Sequence, residues 1–141
     1  MKTTKILVQK TIIGLSEDNK AKLKSLEIYK DKKHFQFSNG WVDLSYELGK
    51  NIEEVCKLAN CELPKIEAMY NKYNSLRVDY YFVSPVPQII ETLIDSLIYV
   101  TEDKSMMICE YCGANDEIET TEKNNHYINA CEKCFDRKNR D

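Results

Sequence analysis

The sequence has no run of 18 apolar residues, so nothing in it reads as a membrane span. Its first ten residues, Met-Lys-Thr-Thr-Lys-Ile-Leu-Val-Gln-Lys, are partly basic but hold only a three-residue apolar run, too short for a secretory signal. Four glycines are spread through 141 residues. They form no P-loop, no other Gly-rich phosphate cradle and no Gly-x-Ser-x-Gly elbow, so nucleotide-dependent and serine-hydrolase chemistry have no seat. The net charge of −3 leaves no basic excess for a large nucleic-acid footprint. There is no internal repeat and no low-complexity tract. What remains is 43% hydrophobic and 30% charged, a composition that can build a core for one domain or two small ones. The richness in Lys, Asn and Ile is that of a low-GC bacterium or one of its phages, and the expected compartment is cytoplasmic.

Cysteine is where the sequence becomes informative. Cys109-Glu-Tyr-Cys112-Gly113 is answered by Cys131-Glu-Lys-Cys134, with 18 residues between the two pairs. Two intervening residues let a tight turn bring both sulfurs of a pair to one side. Four thiolates then complete the tetrahedron that structural zinc favours. Gly113 stands where such a turn needs positive φ. The competing reading is two disulfides or four free thiols, and reduced, metal-bound cysteines fit a cytosol better. Cys56 and Cys61 have no nearby His, and read as small buried apolar residues rather than a second metal site.

Along the chain, residues 3–13 are rich in β-branched side chains and predict a strand. Ser16 is placed to cap a short helix reaching about Ser25, with Glu17 and Asp18 in its first turn. Leu26–Lys30 and His34–Phe37 read as two strands around a polar Asp31-Lys32-Lys33 turn, with Phe35 and Phe37 on one face. Ser38-Asn39-Gly40 is a turn signal. From Trp41 to Tyr73 the period becomes helical, with Leu44, Leu48, Ile52, Val55 and Leu58 on one side. Gly49 interrupts this segment.

Ser45, Gly49, Val55 and Leu58 fall at spacings seen in helix-turn-helix motifs. Lys50 departs from that pattern, and Glu53 and Glu54 would meet phosphates badly; the other reading is two packed helices. Pro64 fits the first position of a further helix, Lys65–Tyr73. Leu76–Val83 is a strand by composition, and Ser84-Pro-Val-Pro87 a rigid connector. Gln88–Val100 carries Ile89, Ile90, Leu93, Ile94, Leu97 and Ile98, a stripe for the core or for a homodimer seam. Thr101–Ser105 reads as a polar hinge. The expected domains are therefore residues 1–104 and 105–141.

In the second domain, Met106–Cys109 reads as an entering strand. Ile118–Thr121 and His126–Ile128 read as a hairpin, and Cys131 as the start of a helix running to about Asn139. Knuckle, hairpin, then two ligands at a helix start is the order of a treble clef. The span 108–138 resembles the N-terminal zinc-binding domain of the ClpX unfoldase family, through Cys109-x2-Cys112-Gly113 and Tyr-x-x-x-Cys131-x2-Cys134. It is also similar to the Gin type of anti-sigma factor, whose pairs lie closer together. Both families use the module to bind proteins, and neither does chemistry with the metal. The resemblance covers the module and none of the ATPase that follows it in ClpX.

Four Cys ligands leave zinc no open coordination position, which argues against an enzyme. His126 stands five residues before Cys131. One His and so short a spacing are too little for an HNH nuclease site. His34 has no evident partner. Nine tyrosines, Tyr111 among them, offer amphipathic anchors for a protein interface. Residues 1–104 carry 15 basic and 15 acidic side chains, residues 105–141 carry 5 and 8, so the cysteine module is the acidic part.

The fold expected is α+β, a small antiparallel sheet with several helices followed by a treble-clef zinc finger holding one structural zinc. The function expected is a non-catalytic regulator or adaptor that binds a protein partner, such as a phage- or mobile-element-encoded inhibitor of a host nucleic-acid enzyme. The alternative is a nucleic-acid-binding transcription regulator using residues 44–58 and the basic tail with Arg137, Lys138 and Arg140. Tyr111, His126, Arg137 and Lys138 are the binding residues expected beside the four cysteines.

Overall fold

The structure, a computed structural model, describes residues 14–115, 118–123, 126–131 and 134. The strand expected over 3–13 lies outside these residues. The described chain is α+β: three α-helices and two separate antiparallel hairpins.

Helix α1, Glu17–Lys24, begins as its sequence predicts. The Ser16 hydroxyl accepts from the Asn19 amide at 3.2 Å, with acidic residues in the first turn and Lys22 and Lys24 in the last. The next segment departs from expectation. Glu27–Tyr29 is a short 3-10 turn, not a strand. Adjacent Ile28 and Tyr29 are both buried, which a strand, sending successive side chains to opposite faces, does not offer a one-sided core. Helix α2, Val42–Ala59, supplies the polar partners that a sheet would have. The Ile28 amide donates to the Glu53 carboxylate at 3.0 Å, and the Tyr29 hydroxyl to the Ser45 carbonyl at 2.8 Å. Phe35 and Phe37 are buried as expected of an extended segment, but that segment pairs only through a parallel bridge from Gln36 to Tyr70.

Helix α2, Val42–Ala59, is one unbroken helix of 18 residues. The helix-turn-helix reading of 44–58 is therefore overturned, because no turn separates two helices there. Gly49 does not break the helix; it admits a neighbour. A Cβ at Gly49 would stand 2.7 Å from the Tyr29 ring and 2.8 Å from Leu26, so the bare backbone lets the 3-10 turn pack against α2. The helix ends at Asn60, which takes the left-handed conformation with φ 54°.

The helix expected over Lys65–Tyr73 is instead strand β1, Lys65–Lys72, antiparallel to β2, Ser75–Tyr81. Tyr73 and Asn74 both have positive φ, 50° and 65°, the conformation of a two-residue type I′ turn. Pairing with β2 outweighs the helix propensity of Glu67, Ala68 and Met69. Beyond the Pro85–Pro87 connector runs α3, Gln88–Ser105. The hinge expected over Thr101–Ser105 is the last turn of this helix. Its side chains cover the outer edge of β2: Ser105 Oγ accepts from the Leu76 amide at 2.8 Å and the Glu102 carboxylate from the Val78 amide at 3.1 Å. Two ladder amides on this edge are thereby satisfied without a third strand.

The core lies between α2, α3 and the first hairpin. Tyr29, Phe35, Phe37 and Trp41 form a run of aromatic contacts, edge to face at 5.8 Å and 6.1 Å and tilted at 6.5 Å. Leu23, Leu48, Ile52, Met69, Leu76 and Ile94 close around them, each essentially inaccessible. No helix among the described residues is long and apolar enough to cross a membrane.

Candidate metal centre

Helix α3 runs into the first cysteine pair through a turn, not through the strand expected at Met106–Cys109: the Met107 amide bonds the Lys104 carbonyl and the Ile108 amide the Ser105 carbonyl. The pair itself is a knuckle. The Gly113 amide donates to the Cys109 carbonyl at 2.9 Å, and the Cys109 amide to the Ala114 carbonyl at 2.7 Å. Gly113 takes φ 82°, the left-handed value that its place in the turn demands.

The second pair is brought back by the expected hairpin, β3 (Ile118–Lys123) and β4 (His126–Cys131). Its register sets Ile118 opposite Cys131 at the open end and Lys123 opposite His126 at the closed end. Cys131 is the last residue of a strand rather than the first of a helix, and Cys134 is helical. Arg137, Lys138 and the helix expected to about Asn139 lie outside the described residues. His126 starts β4, five residues from Cys131, or about 17 Å along an extended strand.

The four sulfurs of Cys109, Cys112, Cys131 and Cys134 all lie within 4.8 Å of one another. Cys112 and Cys131 stand 3.5 Å apart. A disulfide would need about 2.05 Å, and all six cysteines are free. A tetrahedron of sulfurs around zinc, with Zn–S near 2.3 Å, has edges of about 3.8 Å. The cluster brackets that value, so the residues fit one zinc ion with four thiolate ligands. Cys109, Cys131 and Cys134 are buried and Cys112 is exposed. Tyr111 and Ala114 pack around the buried three.

The electrostatics explain why a cation belongs here. Burial pushes the Cys134 thiol up, helped by negative charge on Cys109, and burial likewise pushes Cys112 up. Burial opposes the Cys131 thiolate too, but the Cys134 backbone amide and the neighbouring thiols donate to it and bring it below the usual thiol range. Burial thus opposes charge on Cys112 and Cys134, while hydrogen bonds favour it on Cys131. A divalent cation relieves the repulsion that full ionisation would create, and its binding releases the remaining protons. Tyr111 is pushed up by burial first and then by the charges of Glu110 and Cys109, so it stays neutral beside the cluster.

The knuckle is seated on the body of the protein by residues that sequence reasoning missed. The Gly40 amide donates to the Glu110 carbonyl at 2.7 Å, and Trp41 Nε1 to the Ile108 carbonyl at 3.1 Å. Asn71 Nδ2 donates to the buried Glu110 carboxylate at 2.6 Å. A Cβ at Gly40 would fall 2.0 Å from the Cys109 carbonyl oxygen, so only glycine lets the two backbones meet. The same turn holds the other end of the fold: Ser38 Oγ accepts from the Gly14 amide, and Asn39 Oδ1 from the Ser16 amide and the Asn19 side chain. The signal available in the sequence was Ser38-Asn39-Gly40 followed by the single Trp; it marked a turn but not what the turn touches.

No protein-family model, no curated protein and no solved structure matches this chain.

Proposed function

We propose that this protein is a non-catalytic regulator or adaptor whose zinc ion is structural and whose work is to bind another protein. The observation that carries this reading is the coordination set: four cysteine sulfurs converge on one point, three of them buried. Zinc so held has no vacant position for water or substrate, and so neither activates a nucleophile nor polarises a carbonyl. The residues in question are Cys109, Cys112, Cys131 and Cys134; they would bind the ion and fix the hairpin against the knuckle. The resemblance of this module to protein-binding treble clefs points the same way. So does its acidic character, since four thiolates around Zn²⁺ add a charge of about −2 to an already acidic segment. A basic channel on a nucleic-acid enzyme is a surface of complementary charge, and an inhibitor of such an enzyme is the form of the proposal that the charge favours.

The test is cobalt substitution followed by affinity capture. The reading expects one metal per chain and the absorption of tetrahedral cobalt with four thiolates. Added azide or cyanide should not change that spectrum, and a host protein should be captured by the metal-loaded chain but not by the metal-stripped one. A spectrum that shifts with added anion would reveal an open position and overturn the non-catalytic reading. Capture of nucleic acid alone, lost steeply as salt rises, would overturn the protein partner.

A further inference from the structure

The end of α2 carries two cysteines that the zinc site does not use. The Cys61 amide donates to the Cys56 carbonyl at 2.9 Å, and the Asn60 amide to the Lys57 carbonyl at 3.2 Å. Asn60 takes φ 54° and ψ 46°. Two such bonds around a left-handed residue make a Schellman cap, which folds the residue after the left-handed one back onto the last turn of the helix. Both residues that this cap joins are cysteines. Cys56 enters the core at 1% exposure, and Cys61 is half-buried at its rim. The Cys56 thiol donates to the Cys61 sulfur; burial first, and then this bond, pushes it up to about 12.

The contact has the geometry of a dithiol ready to close. A disulfide asks for Cα atoms roughly 4.4–6.8 Å apart and sulfurs at about 2.05 Å. Residues joined by one backbone hydrogen bond, with their sulfurs in contact, stand in that range of Cα separation. Closure therefore needs only a small approach of the two sulfurs, and both cap bonds can persist. The cysteines of the metal centre are in a different position, because four of them converge on one point and an ion there would cover them. Cys56 and Cys61 are the remaining pair.

We propose that Cys56 and Cys61 form a reversible disulfide that staples the C-terminal cap of α2, by exchange with a low-molecular-weight disulfide such as oxidised glutathione. Cys61, the accessible sulfur, attacks as the thiolate. A bond from Cys61 to glutathione forms, the S–S bond of oxidised glutathione breaks, and one glutathione thiolate leaves. Cys56 then loses its proton and attacks the Cys61 sulfur, expelling the second glutathione thiolate. Two cysteine thiols are oxidised by two electrons to one disulfide, one oxidised glutathione is reduced to two thiols, and the two cysteine protons end on them. The closed ring holds Asn60 in its left-handed turn, and with it the path of the chain from α2 into β1. The pair lies on the body of the protein, so the inference is independent of the partner proposed for the zinc module.

The test incubates the zinc-loaded chain with oxidised glutathione, blocks the remaining thiols by alkylation, and measures mass before and after trypsin. Lys57 lies between the two cysteines, so trypsin places them in separate peptides, residues 51–57 and 58–65, unless a disulfide joins them. The chain should become lighter by two hydrogens before alkylation, with these peptides joined, and dithiothreitol should reverse the change. Amide exchange at Asn60 and Cys61 should slow by about tenfold or more in the oxidised chain. Cys56→Ala, which keeps the buried site apolar, should stop with one glutathione on Cys61. Cys61→Ala should take up none at Cys56 while its circular dichroism remains that of the folded chain. Wild-type chain that stops at the mixed disulfide, a bond from Cys61 to one of the zinc ligands, or unchanged exchange at the cap would each overturn the proposal. So would intact thiols at both positions in the folded chain while a urea-unfolded sample is oxidised.

Discussion

The body of the protein and its metal centre are stabilised by different physics. In the body, Trp41, Tyr29, Leu48, Ile52, Met69 and Ile94 exclude water by packing, and each large buried side chain contributes about 1.5–3 kcal/mol. In the candidate metal centre the buried hydrophobic side chains among the described residues are Cys109, Cys131 and Cys134, with Tyr111 and Ala114 packed against them. Among the described residues this apolar cluster is small against the entropy of ordering its segment, so a bound ion is expected to supply much of the difference. The two regions meet at the turn Ser38–Trp41, which binds α1 on one side and the knuckle on the other, and at Asn71 of β1, which bonds Glu110. Loss of the metal should therefore disorder one region and spare the other, whereas changes at the turn should disturb both.

The largest effect expected is at the ligands. Cys109→Ser should abolish tight zinc binding, forfeiting much of the roughly 10–16 kcal/mol that such sites gain from the metal. Hydrogen exchange should then show fast exchange in β3 and β4, with protection retained in α2 and α3. Loss of protection throughout would mean that the body depends on the metal. Next is Trp41→Ala, which removes the last ring of the aromatic run, against Phe37, and the bond to Ile108. We expect about 3–5 kcal/mol of destabilisation in urea unfolding, with a smaller loss for Trp41→Phe, about 1–2 kcal/mol, from the Nε1 hydrogen bond and part of the ring.

Gly40→Ala is the sharper probe of the joint between the regions. Its Cβ would overlap the Cys109 carbonyl, and overpacking of this kind costs about 1–3 kcal/mol. The cost should appear in zinc affinity, measured by competition with a chromophoric chelator, as well as in unfolding. An effect on unfolding alone would show that knuckle and body are energetically separate. The smallest effect concerns Glu102. Burial first, and nearby Asp79, push its carboxyl above the usual 4.5, against the Val78 amide and Arg77, which act the other way. A raised carboxyl holds its proton more tightly folded than unfolded. Its contribution to stability is therefore present below the unfolded pKa and lost as pH rises through the folded one. Glu102→Gln should remove this dependence and leave stability at pH 7 equal or higher by roughly a few tenths of a kcal/mol, since the group is partly solvated. Urea midpoints at pH 4 and pH 7 measure it.

The features read correctly from sequence share a local cause. Ser16 caps α1 through a bond three residues away, Gly113 turns a five-residue knuckle, and Cys-x2-Cys places two sulfurs together by its own geometry. The errors share a cause as well. Gly49 was read as a breaker because its neighbours Tyr29 and Leu26 come from another element. Lys65–Lys72 has the composition of a helix and becomes a strand because β2 is there to pair with it. Ile28 and Tyr29 are both buried because α2 offers each a polar partner. In all three cases the deciding interaction is a contact between separate elements, and no periodicity within the segment contains it.

The sequence alone determined which four cysteines could hold a metal, the acidic character of their segment and the second hairpin, since charge and turn geometry need only neighbouring residues. Tertiary structure alone decided that α2 is continuous and that Gly40 and Trp41 seat the knuckle. Each of those depends on which surfaces meet, and burial is a property of the folded arrangement rather than of any one stretch of chain.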